Sequence, residues 1–322
     1  MQKKKEKTII LNSVGIVLTI SLGIGIGFVL SNFFPHVVKE INYNSWDPEY
    51  LKADSDACLS KFNKIKASAN PFDGKSMQGW ELANAALRKF EKEERNMSQG
   101  IGAASAKVGP MSVDQQIRST MYRVGDSYFE ESLSKSFAVN VAWRMYENEG
   151  TTLRYKGSCP SNVEIPSFSS DSDPLTFSDS EYLAYAGRNL NGSSTIYIIS
   201  DKTLASKDQA SLSGLPFNGI VVNDDGTYTI NIELDARKSV VNYVKQMMVT
   251  TEMNSAPVFD YVHMSFVVTS DCELVTSTST EKYFASTPSG SSNIEGTLKT
   301  VYSTGGNYEI PDLSTPITYS HN

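Results

Sequence analysis

Between residues 9 and 30 the chain carries no charged side chain, and only Asn12, Ser13, Thr19 and Ser21 are polar. As a helix that run reaches about 33 Å, enough to cross a hydrocarbon core of roughly 30 Å. Past it, apolar positions come in short alternating runs punctuated by Gly, Pro, Asn and Asp, which predicts antiparallel strands and tight turns. Two stretches break that rhythm and predict helices. Over 77–95, Trp80, Ala83, Leu87 and Phe90 recur at three- and four-residue spacing, Ser76 is placed as N-cap, and Trp80 reads as a core anchor. Further on, Asp235 opens a helix whose stripe is Val240, Tyr243, Val244, Met247, Met248 and Thr251, ended by Asn254 and Pro257.

Strands are predicted at 100–108, 116–123 and 128–133, the last two joined through Gly125-Asp126, and at 139–146 and 152–155, joined across 147–150. Residues 195–200 (TIYIIS) read as a short apolar strand. A hairpin over 219–234 turns at Asp224-Asp225-Gly226; a long pair at 258–269 and 273–284 and a strand at 296–303 follow. Residues 161–180 read as a loop or insertion, and the Ser/Thr-rich 275–293 as surface. Helix-then-strands occurs twice, over 77–157 and 236–303, a loose repeat of element order. The fold class that follows is α+β, a curved antiparallel β-sheet wrapped around helices and preceded by one transmembrane helix.

Charge orients that arrangement. Lys3, Lys4, Lys5 and Lys7 precede the apolar run, so the positive-inside bias predicts a cytoplasmic tail at 1–7 and a transmembrane signal anchor at 8–31. A stalk or linker with a short packing segment follows at 32–75, then an extracytoplasmic domain at 76–322. The length of the run favours an uncleaved anchor over a cleaved signal peptide, whose apolar core is about 7–15 residues. Gly15, Thr19, Gly23 and Gly27 line one face of the anchor, a spacing compatible with a homo-oligomer in the membrane. Four of the 29 Lys and Arg and one of the 36 Asp and Glu lie in the tail, so the rest carries a net charge of −10. That excess excludes nucleic acid as a partner. The expected localisation is the cell membrane, single-pass, with the bulk of the chain extracytoplasmic.

Chemistry is sparse. His36 lies at the predicted membrane boundary and His321 near the last position. His263 sits on a strand, on the face of Phe259, Tyr261 and Val267, and reads as structural or exposed. The chain has no G-x-S-x-G, H-E-x-x-H, Walker or Rossmann pattern, and Ser132-Leu133-Ser134-Lys135 lacks the motifs that accompany S-x-x-K in enzymes. Asp171, Asp173, Asp179 and Glu181, like Asp224 and Asp225, read as loop and turn acids without EF-hand spacing. No catalytic residue, metal or cofactor is expected. Cys58 and Cys159, both in segments read as irregular, form the candidate disulfide, and Cys272 reads as a turn residue.

The remaining candidate is an apolar cleft between sheet and helix, lined by Tyr243, Met247, Met248, Phe259, Tyr261, Met264 and Phe266. A simple helix-on-sheet core is the alternative reading of that stripe. The phrases QQIRSTMYRVGDSYFEES and AWRMYENEGTTLRYKG, then DGTYTINIEL, a helix, PVFDYVHMSFVV and TEKYF, resemble the LolA/LppX-like half-barrel proteins of bacterial envelopes and related extracellular lipoproteins, over roughly 76–310. The resemblance implies a half-barrel-like sheet covering helices and able to hold lipid or acyl chains. A membrane anchor stands here where that family has a lipidated cysteine. Two functions follow: a membrane-anchored binding module for a lipid or other apolar ligand, or an envelope structural or protein-interaction protein with a closed core. A non-enzymatic role is expected of either.

Overall fold

The computed structural model describes residues 41–319 except 69–71, 109–110, 137–139, 161–162, 170–172, 187–189, 191–195, 251–252 and 288–289. The predicted tail, the anchor with its Gly15, Thr19, Gly23 and Gly27 stripe, His36 and His321 lie outside the described residues. Among those described, no helix is long and apolar enough to cross a membrane.

Local turn chemistry builds the first half. Strands β1 (Arg95–Val108), β2 (Met111–Val124), β3 (Ser127–Lys135), β4 (Asn140–Asn148) and β5 (Thr151–Ser158) run as an antiparallel meander. Between β4 and β5 both turn residues have positive φ, Glu149 at 49° and Gly150 at 74°. That is the geometry a two-residue hairpin needs to match strand twist. The segment expected as a loop supplies two short edge strands beside β5, β6 (Ser167–Phe168) and β7 (Leu175–Ser178).

The second half is another meander: β8 (Gly219–Val222), β9 (Tyr228–Leu234), β10 (Val258–Val268), β11 (Leu274–Thr287) and β12 (Gly290–Thr304). The halves join where β1 pairs with β12, Ala104 opposite Gly296, giving one open antiparallel sheet in the order β6-β5-β4-β3-β2-β1-β12-β11-β10-β9-β8, with β7 beside β5. The architecture is thus α+β, a large open antiparallel sheet with a few helices.

Six α-helices accompany these strands among the described residues: α1 (Pro48–Leu51), α2 (Ser55–Lys66), α3 (Gly79–Lys92), α4 (Asp179–Ala186), α5 (Lys207–Ala210) and α6 (Val241–Thr250). The first predicted helix is shorter than its periodicity suggested. Gln78, not Ser76, is the cap, its backbone N–H donating to Glu81 Oε2 at 2.8 Å, while Ser76 turns back to Asp73. Its far end yields to the sheet, because Arg95 already pairs with Val124. Trp80 is half-buried, its indole N–H bonded to Gln78 Oε1 at 2.8 Å.

The main core lies between α2, α3 and α6 and one face of the sheet, hereafter the inner face. Leu82, Ala83, Ala86, Leu87 and Phe90 of α3 face Ile230 and Ile232 of β9 and Val262, Met264 and Phe266 of β10 within it. Tyr43, Leu51, Cys58 and Phe62 join that core, so the residues after 41 are tied to it. Residues 196–199, expected as a strand, are buried without joining the sheet. Their polar groups pair instead with loops and helix: Ile198 N–H donates to Ser239 O, and Asn84 Nδ2 to Ile199 O at 2.8 Å. An apolar run of that length satisfies a buried strand and a buried strut equally well, and the backbone partners decided it.

The three cysteines are free thiols. Cys58 belongs to the main core and Cys159 to a small cluster with Leu133 and Ala142, so the expected Cys58–Cys159 bridge is not formed. Cys272, fully buried with φ at 61°, is a turn residue between β10 and β11 whose side chain plugs the core. Burial pushes its thiol up to about 12, which suppresses thiolate chemistry there.

Candidate binding site on the inner face

Helix α6 carries Tyr243 and Met247 into the main core, where they are buried in one cluster with Phe259, Met264 and Phe266. Tyr243 packs on Phe259 at 5.8 Å between ring centroids, and Phe259 on Tyr283 at 4.7 Å. The other two expected lining residues are elsewhere. Met248 is 37% exposed on the outer side of the helix. Tyr261 points to the opposite face of the sheet, where its hydroxyl donates to Glu295 Oε1 at 3.2 Å. The cause is a register shift between Phe259 and Tyr261, a bulge that puts two same-parity residues on opposite faces.

The same shift places His263 on the outer face with Tyr261. It is buried there, Nδ1 at 2.8 Å from Glu233 Oε2, which also accepts from Ser213 Oγ at 3.0 Å. Ser213 therefore bonds the acid and not the imidazole, so the trio is no nucleophile relay. Among the described residues no three His, Cys, Asp or Glu side chains group as a metal site.

Inside the apolar region lies a polar knot. Ser277, Ser279, Glu281, Tyr283 and Ala285 alternate onto the inner face of β11, so the stretch expected as surface has one buried side. Glu281 is fully buried and accepts from the hydroxyls of Tyr197 and Tyr243, the latter at 3.2 Å. Burial raises its pKa to about 8, and the two tyrosine hydrogen bonds only partly counter that. At neutral pH the group is mostly a neutral carboxylic acid.

The inner face of the first half is different in kind. On β3 to β5 it carries Glu130, Ser132, Trp143, Met145, Thr152 and Arg154, all buried. Helix α4 covers part of it, Tyr182 packing on Met145 with its hydroxyl 3.2 Å from Sδ. Arg154 lies face to face with Trp143, Cζ 3.7 Å from the ring centroid, and under Tyr185 at 5.2 Å. The inner face thus changes from apolar under α6 to polar and cationic under α4.

Sequence reasoning did not single out Glu281, Tyr197, Trp143 or Arg154. Glu281 had a readable signal: it shares strand parity with Tyr283 and Ala285, two apolar residues on the same side. Arg154 had none, because an alternating arginine on a strand ordinarily faces water.

No family model matches the chain. No curated protein matches it either. Among solved structures, it is similar to a DUF1329 family protein from Desulfovibrio piger at 11% identity and a TM-score of 0.24, covering 70% of this chain and 90% of that one. It is also similar to an outer membrane lipoprotein-sorting protein domain from Vibrio parahaemolyticus at 10% identity and a TM-score of 0.26, covering 72% and 94%. Such scores leave function to be read from the chain's own residues.

Proposed function

We propose that the chain is a membrane-anchored, extracytoplasmic binding module with a half-barrel-like sheet, whose ligand is a lipid or another apolar molecule. The observation that supports it is the apolar cluster at α6: Tyr243 and Met247 share one buried core with Phe259, Met264 and Phe266, Tyr243 packing on Phe259, and methionine adapts to changing apolar shapes. Tyr243 and Met247 are 0% exposed, so ligand entry requires the helix to lift from the sheet. That same closure supports the second reading, an envelope interaction protein whose core is full.

Organic-solvent extraction of the purified chain separates the two. The binding module releases lipid, and Met247→Trp lowers the amount recovered. A closed core releases none, and the same change is overpacking that costs about 1–3 kcal/mol of stability. Met248→Trp, on the exposed side, is the control and stays within about 0.5 kcal/mol of the parent.

The anchored topology has its own test. Protease added to intact cells is expected to digest residues beyond about 45 and spare the lysine-rich tail. Full protection of the large domain refutes the orientation.

A further inference from the structure

We infer that Arg154 is the floor of an oxyanion-binding site on the inner face, one that takes a phosphate or carboxylate group. Arg154 is 1% exposed, and Nη1 donates to the Tyr185 hydroxyl at 2.5 Å. Nε and Nη2 have no acceptor among the described residues. These two atoms form the side-on edge of the guanidinium, the edge that grips a carboxylate or phosphate with two parallel hydrogen bonds. Arg88 of this chain uses that pair on Asp56, at 3.1 Å from Nε and 3.0 Å from Nη2.

A buried arginine normally faces a carboxylate in this way, because an unmet charged donor in a low-dielectric interior is costly. Glu130, in the same cross-strand row as Arg154 beyond Met145, offsets part of the charge through its own field. The Trp143 ring under the guanidinium and the Tyr185 hydroxyl at Nη1 anchor it from two directions before any anion arrives. Lys156, exposed on the same inner face and 5.9 Å from the Trp143 ring, adds a second positive charge on the approach. Thr152 Oγ1, buried on the same strand face, is a further hydroxyl without a partner among the described residues.

A free anion and an acidic lipid headgroup share this chemistry. The residues around Arg154 belong to a buried cluster separate from the one under α6, so the site stands whether or not that cluster holds a ligand. The full chain in non-ionic detergent, at constant ionic strength, is titrated with inorganic phosphate, with short-chain phosphatidic acid and with short-chain diacylglycerol. Tryptophan emission is the readout, and Trp143→Phe assigns the signal.

Phosphate and phosphatidic acid both giving a saturable change assigns a free oxyanion; phosphatidic acid alone assigns a headgroup. In either case Arg154→Met weakens the response at least about tenfold, as expected for lost charge-assisted hydrogen bonds. Should that variant not fold, Arg154→Lys, which keeps the charge and removes the fork, is expected to show the loss. No saturable change in the parent overturns the site, as does a response that survives both substitutions. Equal responses to diacylglycerol and phosphatidic acid also overturn it, while leaving the binding-module reading intact.

Discussion

Glu281→Gln is expected to make the protein more stable at pH 8 than its parent, by on the order of 4 kcal/mol, and to flatten the pH dependence of unfolding. The sign follows from where the proton sits. An ordinary glutamate loses it near 4.5, the folded protein holds it to about 8, and burial is the main cause. Below 4.5 both states are protonated and Glu281 does not tilt the balance. Between 4.5 and 8 the unfolded chain releases a proton that the folded chain keeps, so stability falls steadily as pH rises. Glutamine mimics the neutral acid: its oxygen accepts from one tyrosine and its amide donates to the other. Asp56 and Asp312, both held at about 2 by hydrogen bonds, tilt the curve the opposite way, but only at lower pH. Thermal unfolding of parent and variant at pH 5, 7 and 9, followed by circular dichroism, reads the difference. Parallel curves across that range would show that Glu281 is ionised and solvated, and the polar knot would lose its meaning.

The knot also bears on the proposed ligand. A neutral acid and three tyrosines inside an apolar cluster are hydrogen-bond donors and acceptors at the place where a lifted α6 would admit a molecule. An amphiphile meeting that surface finds polar partners without finding a fixed charge. The fixed positive charge is across the sheet, at Arg154, so the two halves of the inner face offer complementary chemistry.

Hairpins were legible in the sequence because their causes are local. Gly125-Asp126, Glu149-Gly150 and Asp224-Asp225-Gly226 each specify a turn within four residues, and the flanking alternation supplies the strands. The junction of β1 with β12 was not legible. It joins Ala104 to Gly296 across most of the domain, and small alternating residues carry no mark of their partner. Strand parity gave the face of Met264 and Phe266 but failed at Phe259 and Tyr261. A bulge adds one residue without changing the hydrophobic pattern that parity reads. The buried charges were hidden for a related reason: a Glu or Arg in a strand looks the same whether its face meets water or a packed ring. Only the element lying over that face decides, and α4, over Arg154, begins at the end of the stretch read as loop and runs through residues given no element in the sequence.

The outer face carries the other large expected effect. Residues 310–319 cross it, with Ile317 and Tyr319 packed on Phe129. Arg144 ties them down: Nε meets Glu131 Oε2 at 2.8 Å, and its two terminal nitrogens donate to the carbonyls of Asp312 and Thr315. Tyr319 closes the ring by donating to Glu131 Oε1 at 3.0 Å. Both charged side chains are buried, and burial raises the Glu131 pKa against the pull of Arg144 and Tyr319. Replacing a buried pair with apolar residues can be neutral, but removing one member strands the other. Arg144→Met should therefore cost about 3–5 kcal/mol and free 310–319, which limited proteolysis would cut sooner than in the parent. Glu131→Gln added to that variant should recover part of the loss, because the stranded charge is gone while the two carbonyls regain water when the segment lifts. A single variant within about 0.5 kcal/mol of the parent, with an unchanged proteolytic pattern, would mean that Ile317 and Tyr319 hold the segment by packing alone.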